Sequence, residues 1–493
     1  MQTSADIRSG ALSLALERPA SPWMLALIAL ATTAFFIGGQ LMNFPVLILA
    51  LLPVGAGLML FLNRSSAVSM YAFLCTSFGL ALRPVTMAGT DPIDLLAGAI
   101  LGMITLGVVI KVLYVAREPV TYSVPQLLGA LYLVWGLFTG IGGILWWNNT
   151  WNDWLREFLL QSPLFLIPVL YVRTLRSDSE GEHRFHKFLF GMALVLMLAT
   201  VIKYGYTVST SIYAYQIGRA SIDVSASIIV LLTFLAFTLH NVPLIKMRYR
   251  ILISCFCIAT LVLSGYRTFW VCAAIGFVLL FLLAPPKQWS RSVRYLVPLT
   301  VLLLTVGVTL YYTVPIFKIF VMMTFNRLLS TTELGTDPSL VNRYIETDII
   351  KTYIAASPIT GYGFGAKFQL FDWLLGYTYD FGFSHNGYYF VMFKTGIVGF
   401  VMIYSAFAWF VVRAYRIARD VTESPRVRAL ASVAFGYLVI IAIANTTLNT
   451  FGERNGMIWV GIFWAYILSR DIAKRLRERD QFVTPSALAI GNE

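Results

Sequence analysis

Charge is what this chain has least of. Only 12% of its 493 residues are Asp, Glu, Lys or Arg, against about a quarter in an ordinary soluble domain, whereas 58% are hydrophobic. A soluble fold of this length cannot bury so large an apolar fraction. Acidic residues are scarcer than basic ones, 24 against 37. Those in the longest polar connection, among them Asp337, Glu346, Asp348, Asp372 and Asp380, are scattered without the ligand pattern of a divalent-cation site. The four cysteines, Cys75, Cys255, Cys257 and Cys272, all lie in apolar runs. Cys255 and Cys257 form a C-x-C with no second pair, which argues against a disulfide framework or a zinc site and for small buried hydrophobes. Gly361-Tyr362-Gly363-Phe364-Gly365 is glycine-rich, but no βαβ unit surrounds it, so it is not a nucleotide loop. The net charge of +13 is spread over short connections, without the domain context of a nucleic-acid module.

What the chain does have is apolar runs of about 20 residues, repeated along its length, the mark of an all-α polytopic membrane protein. A membrane barrel would show short alternating strands instead. Run length gives about 14 candidate spans: 23–41, 45–62, 67–87, 93–114, 124–146, 156–174, 187–205, 222–240, 250–267, 269–285, 295–315, 386–411, 429–447 and 456–470. Two divisions are weak, at Asn43-Phe44-Pro45 and at Gly265 to Thr268, so about 12–14 transmembrane helices are expected. Arg8 and Arg18 precede an apolar stretch without a small-residue cleavage site, so the first span is read as retained. Lys and Arg concentrate in alternate connections and in the tail from Arg470 to Arg479, which predicts cytoplasmic termini. The expected organisation is transmembrane helices over 1–315, one large structured extracytoplasmic loop over 316–385, and transmembrane helices with a basic cytoplasmic tail over 386–493. Within the loop, Thr336-Asp337-Pro338-Ser339 starts a helix that runs from Leu340 to Ala356 and stops at Ser357-Pro358. Phe368 to Leu375 reads as a second short helix.

The polar residues with chemical potential gather at one expected membrane face. Arg219 precedes the span 222–240, Arg267 closes the span 250–267 in Ser264-Gly265-Tyr266-Arg267, and Arg343 lies on the loop helix after Asn342. His385 ends the loop in Ser384-His385-Asn386-Gly387-Tyr388-Tyr389, followed by Gly396 and Gly399. Guanidinium groups suit phosphate because their planar fork donates two parallel hydrogen bonds, and an imidazole can accept a proton near neutral pH. Each has a plain alternative. Arginines at span ends snorkel to lipid phosphates, Arg343 has Glu346 at i+3 for a surface ion pair, and a histidine at a helix start can be structural. Gly396 and Gly399 suit close helix packing. Tyr388 and Tyr389 either line a glycan or form an interfacial belt. Lys394 lies nine residues past His385, a depth at which an ionisable group is functional or snorkels.

The loop between many spans, Ser264-Gly265-Tyr266-Arg267, Asn342-Arg343 followed by Pro358 and Gly361-Tyr362-Gly363, and His385-Asn386 with Gly396 and Gly399 together resemble the bacterial O-antigen ligase and O-antigen polymerase family. The resemblance covers roughly residues 210–400. It implies a GT-C-like, metal-independent membrane glycosyltransferase without a cofactor. Such an enzyme moves a glycan from undecaprenyl pyrophosphate to the hydroxyl of an acceptor glycan or glycolipid, in lipopolysaccharide or exopolysaccharide biosynthesis. By the same resemblance His385 corresponds to the catalytic base and Arg267 and Arg343 to pyrophosphate-binding residues, with Arg219 a further donor. Asn386, Tyr388 and Tyr389 are candidates to line the glycan. The site is expected to face the periplasm from the bacterial inner membrane. This chain departs from the family in having about two spans more than the usual 12 and in Tyr266, where a small residue is common. Ligase and polymerase differ only in acceptor, and the residues do not separate them. The competing class is a transporter or lipid-linked glycan flippase, for which charge belongs near the midplane; a central cavity lined by Lys394 would favour it. A non-catalytic membrane scaffold would have no use for an ordered loop bearing Arg and His.

Overall fold

In a bilayer core, a segment that satisfies its own backbone hydrogen bonds must be helical, and helices account for nearly all of the structure. The computed structural model describes residues 65–81, 92–110, 123–177, 181–210, 223–315, 338–372, 376–452 and 454–488, with parts of 317–325. Helices α1 (Ser66–Ala81), α2 (Pro92–Ile110), α3 (Val124–Trp146), α4 (Trp151–Gln161) and α5 (Pro163–Ser177) come first. They are followed by α6 (Gly181–Thr210), α7 (Val224–Leu239), α8 (Met247–Leu263), α9 (Arg267–Leu283) and α10 (Pro286–Thr313). Helix α11 (Pro338–Ala356) and the strands β1 (Phe368–Asp372) and β2 (Tyr377–Phe381) precede α12 (Gly387–Arg419), α13 (Pro425–Ala444) and α14 (Arg454–Leu488). Among the described residues six helices are long and apolar enough to cross a membrane, seven if α4 and α5, bent by 42° at their junction, form one span. Shorter apolar stretches lie in α1, α2, α7 and α9. The protein is therefore the all-α polytopic membrane protein read from its apolar runs. The expected spans at 23–41 and 45–62 lie outside the described residues.

The bundle is centred on α13 and α14, where Tyr437, Trp459 and Trp464 are fully buried. Helix α14 packs most extensively on α5, and α12 on α3 and α13. Close approach depends on small residues, as expected where lipid tails remove the hydrophobic drive for association. A side chain at Gly461 would put its Cβ 2.6 Å from the Pro163 carbonyl oxygen. At the periphery, α10 leaves Val297, Val301, Leu304 and Val308 exposed, the face that hydrocarbon would cover.

Helix α12 is broken. Gly396 has φ 62 and ψ −170 inside it, a left-handed conformation that residues with a Cβ rarely adopt. The break frees three carbonyls, and each finds a donor: Tyr362 N–H bonds Phe393 O at 2.9 Å and Gly363 N–H bonds Lys394 O at 2.8 Å, while Trp135 Nε1 bonds Thr395 O at 2.8 Å. Ile397 N–H returns the connection to Pro358 O at 2.9 Å. A Cβ at Gly396 would sit 2.1 Å from Ile359 O, and one at Gly361 (φ 66) would sit 2.6 Å from Gly396 N. The glycine-rich run is thus a plug that fills the kink of a membrane helix.

That plug carries a small second core: Ile350 of α11, Ala366, Phe368 and Leu370 of the hairpin side, and Phe393 of α12. Phe393 meets Tyr353 and Phe368 edge-on at 5.9 and 5.6 Å. Of the helix expected over Phe368 to Leu375, the described part, Phe368–Asp372, is instead a strand that pairs antiparallel with Tyr377–Phe381, Phe368 opposite Phe381. The reason is a period of two. Phe368 and Leu370 are buried while Lys367, Gln369 and Phe371 are exposed, which is strand alternation and cannot form one helical face.

Candidate active site

Three segments meet at the end of the bundle that carries α11 and the hairpin. The first is the start of α12. Asn386 caps this helix, its Oδ1 accepting from Tyr388 N at 3.0 Å and Tyr389 N at 3.1 Å. Its Nδ2 donates to Thr446 O at 3.1 Å. Tyr388 donates its hydroxyl to Ala442 O at 2.7 Å and stacks on Tyr404 at 4.9 Å. Asn386 and Tyr388 therefore have their polar atoms committed to capping and helix packing. Tyr389 borders the small loop core, with Lys351 Nζ 5.8 Å from its ring.

The second segment is the turn after α13, Asn445 to Thr450. Asn445 Oδ1 accepts from Thr450 N at 3.0 Å and Thr450 Oγ1 at 2.5 Å, which closes the turn. The turn then collects the rest of the site. Gly387 N–H bonds Asn445 O at 2.8 Å, and Arg343 Nη1 donates to Thr447 O at 3.1 Å. Thr268 Oγ1, beside Arg267, lies 3.2 Å from Thr447 Oγ1. Arg267, expected to close the span 250–267, instead starts the next helix: α8 ends at Leu263, Gly265 turns the chain with φ 67, and Arg267 is the first residue of α9. A helix start carries positive partial charge from its aligned peptide dipoles, so α9 and α12 bring two electropositive ends to the same turn.

The third segment is α11. Arg343 and Glu346, at i and i+3, both point towards the site. Both Glu346 oxygens meet His385: Oε1 accepts from the backbone N–H at 2.6 Å, and Oε2 lies 2.7 Å from Nδ1. The Glu346 side chain is 3% exposed and the His385 side chain 38%. Phe383 and Phe381 flank the imidazole at 5.5 and 6.4 Å.

The structure therefore brings His385, Arg343 and the Arg267 helix start around one turn. Arg219 lies outside the described residues. Sequence reasoning missed Glu346, which it offered only as a surface partner for Arg343. A signal was present: Glu346 is four residues before Ile350, so both fall on the face that α11 buries. It also missed the Asn445–Thr450 turn, which carries no charge or motif.

Lys394 is fully buried and pairs with Glu157 at 2.8 Å, while donating to Ala366 O at 2.5 Å. Glu157 Oε2 in turn accepts from Gly365 N at 2.7 Å. Nearby, Lys367 pairs with Asp153 at 2.6 Å and Asn149 Nδ2 donates to Tyr362 O at 2.9 Å. The lysine thus fastens the glycine plug between α4 and α12 and lines no open passage. The opposite end of the bundle is strongly basic, with Arg413 and Arg475 on Asp471, Lys474 on Asp420 and Arg470 on Glu182. Among the described residues no three His, Cys, Asp or Glu side chains gather as metal ligands.

With this geometry in place, comparison with known families gives one result: residues 252–404 match the family model described as O-antigen ligase. The match runs from α8 through the loop to the first half of α12 and contains Arg267, Arg343, Glu346, His385, Gly396 and Gly399. No curated protein matches the chain.

Proposed function

We propose that this chain, whose residues 252–404 match the O-antigen ligase family model, is a multi-pass membrane glycosyltransferase that transfers a glycan from undecaprenyl pyrophosphate to an acceptor hydroxyl. The observation that carries this reading is the convergence on the Asn445–Thr450 turn of Arg343, of Thr268 beside Arg267, and of Asn386 beside His385. Arg267 and Arg343 hold the diphosphate and stabilise the charge that grows on it as the glycosidic bond breaks. His385 takes the proton of the acceptor hydroxyl, whose oxygen forms the new bond to the anomeric carbon. The electron pair of the old C–O bond leaves with undecaprenyl pyrophosphate, and the imidazolium returns its proton to water. A diphosphate is a good leaving group, so no second carboxylate of the hydrolase kind is called for.

In this reading the acceptor is a glycan or glycolipid, either lipid A core or a second lipid-linked repeat. The site faces the periplasm from the inner membrane, with both termini cytoplasmic; the Lys and Arg concentration at the other end of the bundle supports that orientation. The buried Lys394–Glu157 pair removes the charge that a transport passage would have used. The test is transfer from a defined lipid-pyrophosphate glycan by purified His385→Ala. Loss of transfer by a variant that still folds and inserts is expected, with its melting transition lowered because Glu346 Oε2 loses its partner; unchanged transfer would sink the assignment.

A further inference from the structure

Glu346 is a carboxylate almost without solvent, on a helix that otherwise gives the site an arginine. A buried carboxylate has to be hydrogen-bonded, and both oxygens of this one are used on a single residue 39 positions away. The donor inventory then fixes the chemistry. The His385 backbone N–H can only donate, and an ionised carboxylate can only accept. Glu346 Oε2 beside Nδ1 therefore calls for a proton on Nδ1. In the neutral ring this leaves the lone pair on Nε2, the nitrogen turned away from Glu346.

We propose that Glu346 is the positioning residue for His385, fixing the imidazole in the Nδ1–H tautomer so that Nε2 is the atom that takes the acceptor proton. Two hydrogen bonds from one carboxylate, to backbone and to ring, also set the ring's orientation, with Phe381 and Phe383 on its flanks. Because Arg343 lies one helical turn before Glu346, α11 holds the base and a diphosphate donor on one rigid element. The distance between leaving group and base is thereby built into a helix rather than a loop. This inference rests on His385 being the base.

Glu346→Gln is the informative variant. Its carbonyl oxygen must stay on the His385 N–H, since an amide NH2 there would oppose another donor. The NH2 is then left facing Nδ1, which has to become the acceptor, and the proton moves to Nε2. The side chain keeps its size, yet the base is in the wrong tautomer. Glu346→Asp is shorter and packs worse, but it keeps an acceptor-only group. Transfer from a lipid-pyrophosphate glycan is measured per folded protein for both variants and for His385→Ala, with melting profiles alongside.

The expected result is a fall in kcat of about 10²–10⁴ for Glu346→Gln, the range that a positioned general base contributes, with the donor KM within about threefold of the native value because uniform binding is untouched. Glu346→Asp should be the more active of the two. Added to His385→Ala, Glu346→Gln should cause no further loss. If Glu346→Gln retains most of kcat, or matches or exceeds Glu346→Asp, the carboxylate only packs and the proposal is overturned. Those outcomes leave His385 as base intact, whereas an active His385→Ala removes the base itself.

Discussion

Lys394→Met is the sharpest test of how the loop is held. The substitution keeps an unbranched side chain in a fully buried slot and removes three things together. Glu157 loses its cation at 2.8 Å, Ala366 O loses its donor, and the glycine plug loses its fastening to α12. Removing one partner of a buried ion pair costs about 3–5 kcal/mol because the other charge is left uncompensated. Glu157 is 17% exposed, so water can approach it, and the lower end, about 3 kcal/mol, is the expected figure. At roughly 2–4 °C per kcal/mol for a domain of 150–250 residues, the melting temperature should fall by roughly 6–12 °C. A thiol-reactive dye reports this as signal added to that of exposed Cys75 and half-buried Cys255, since Cys257 and Cys272 are buried until the bundle opens. Limited proteolysis within 357–367 should accelerate in parallel. Glu157→Gln added to Lys394→Met should recover most of the loss, because the amide oxygen still accepts from Gly365 N–H and no charge is buried. The reasoning is refuted if Lys394→Met melts within a degree or two of the native protein with the loop still protected.

Gly396→Ala should be more disruptive than its size suggests. It combines a left-handed φ with a Cβ 2.1 Å from Ile359 O, so proteolysis should show the plug released and transfer should be lost. Arg343→Lys keeps the charge but not the planar fork; kcat/KM for the lipid-linked donor should drop about 10–100-fold, and an unchanged value would argue against a diphosphate contact. Transfer should survive a chelator, because guanidinium groups supply the positive charge in the proposed mechanism; full loss with EDTA, restored by a divalent cation, would overturn that part. His240, buried just past α7, is held down to about 4, first by burial and then by the Arg428 and Arg291 charges. The unfolded chain therefore binds a proton that the folded chain refuses between about pH 6.5 and 4, so stability is present above 6.5 and lost as pH falls towards 4. A melting-temperature difference between pH 7 and pH 5 that is smaller in His240→Gln than in the native protein would confirm the source.

Much of this was written along the chain. Apolar run length placed a helix over 124–146, where α3 spans Val124–Trp146, because a span is a local property of some 20 consecutive residues. The Ser264-Gly265-Tyr266-Arg267 turn, the α11 start at Pro338 and the α12 start at His385-Asn386 were legible for the same reason: caps and breakers act on their immediate neighbours. The hairpin was legible in principle, in the alternation around Phe368 and Leu370, and was misread because so short an apolar run suits helix or strand.

What no local pattern contained were the partners. Glu346 reaches His385 across 39 positions, Arg343 reaches Thr447 across 104, and Lys394 reaches Glu157 across 237. These pairings exist only once the helices are stacked, since hydrogen bonds and ion pairs depend on separations of a few ångströms that spacing in sequence does not constrain over such distances. Local composition and spacing were enough for a membrane bundle of helices, a structured loop and the arginine and histidine residues of the proposed site. The tertiary structure decided that the buried lysine is a fastening, that the glycines plug a broken helix, and that a carboxylate stands behind the histidine.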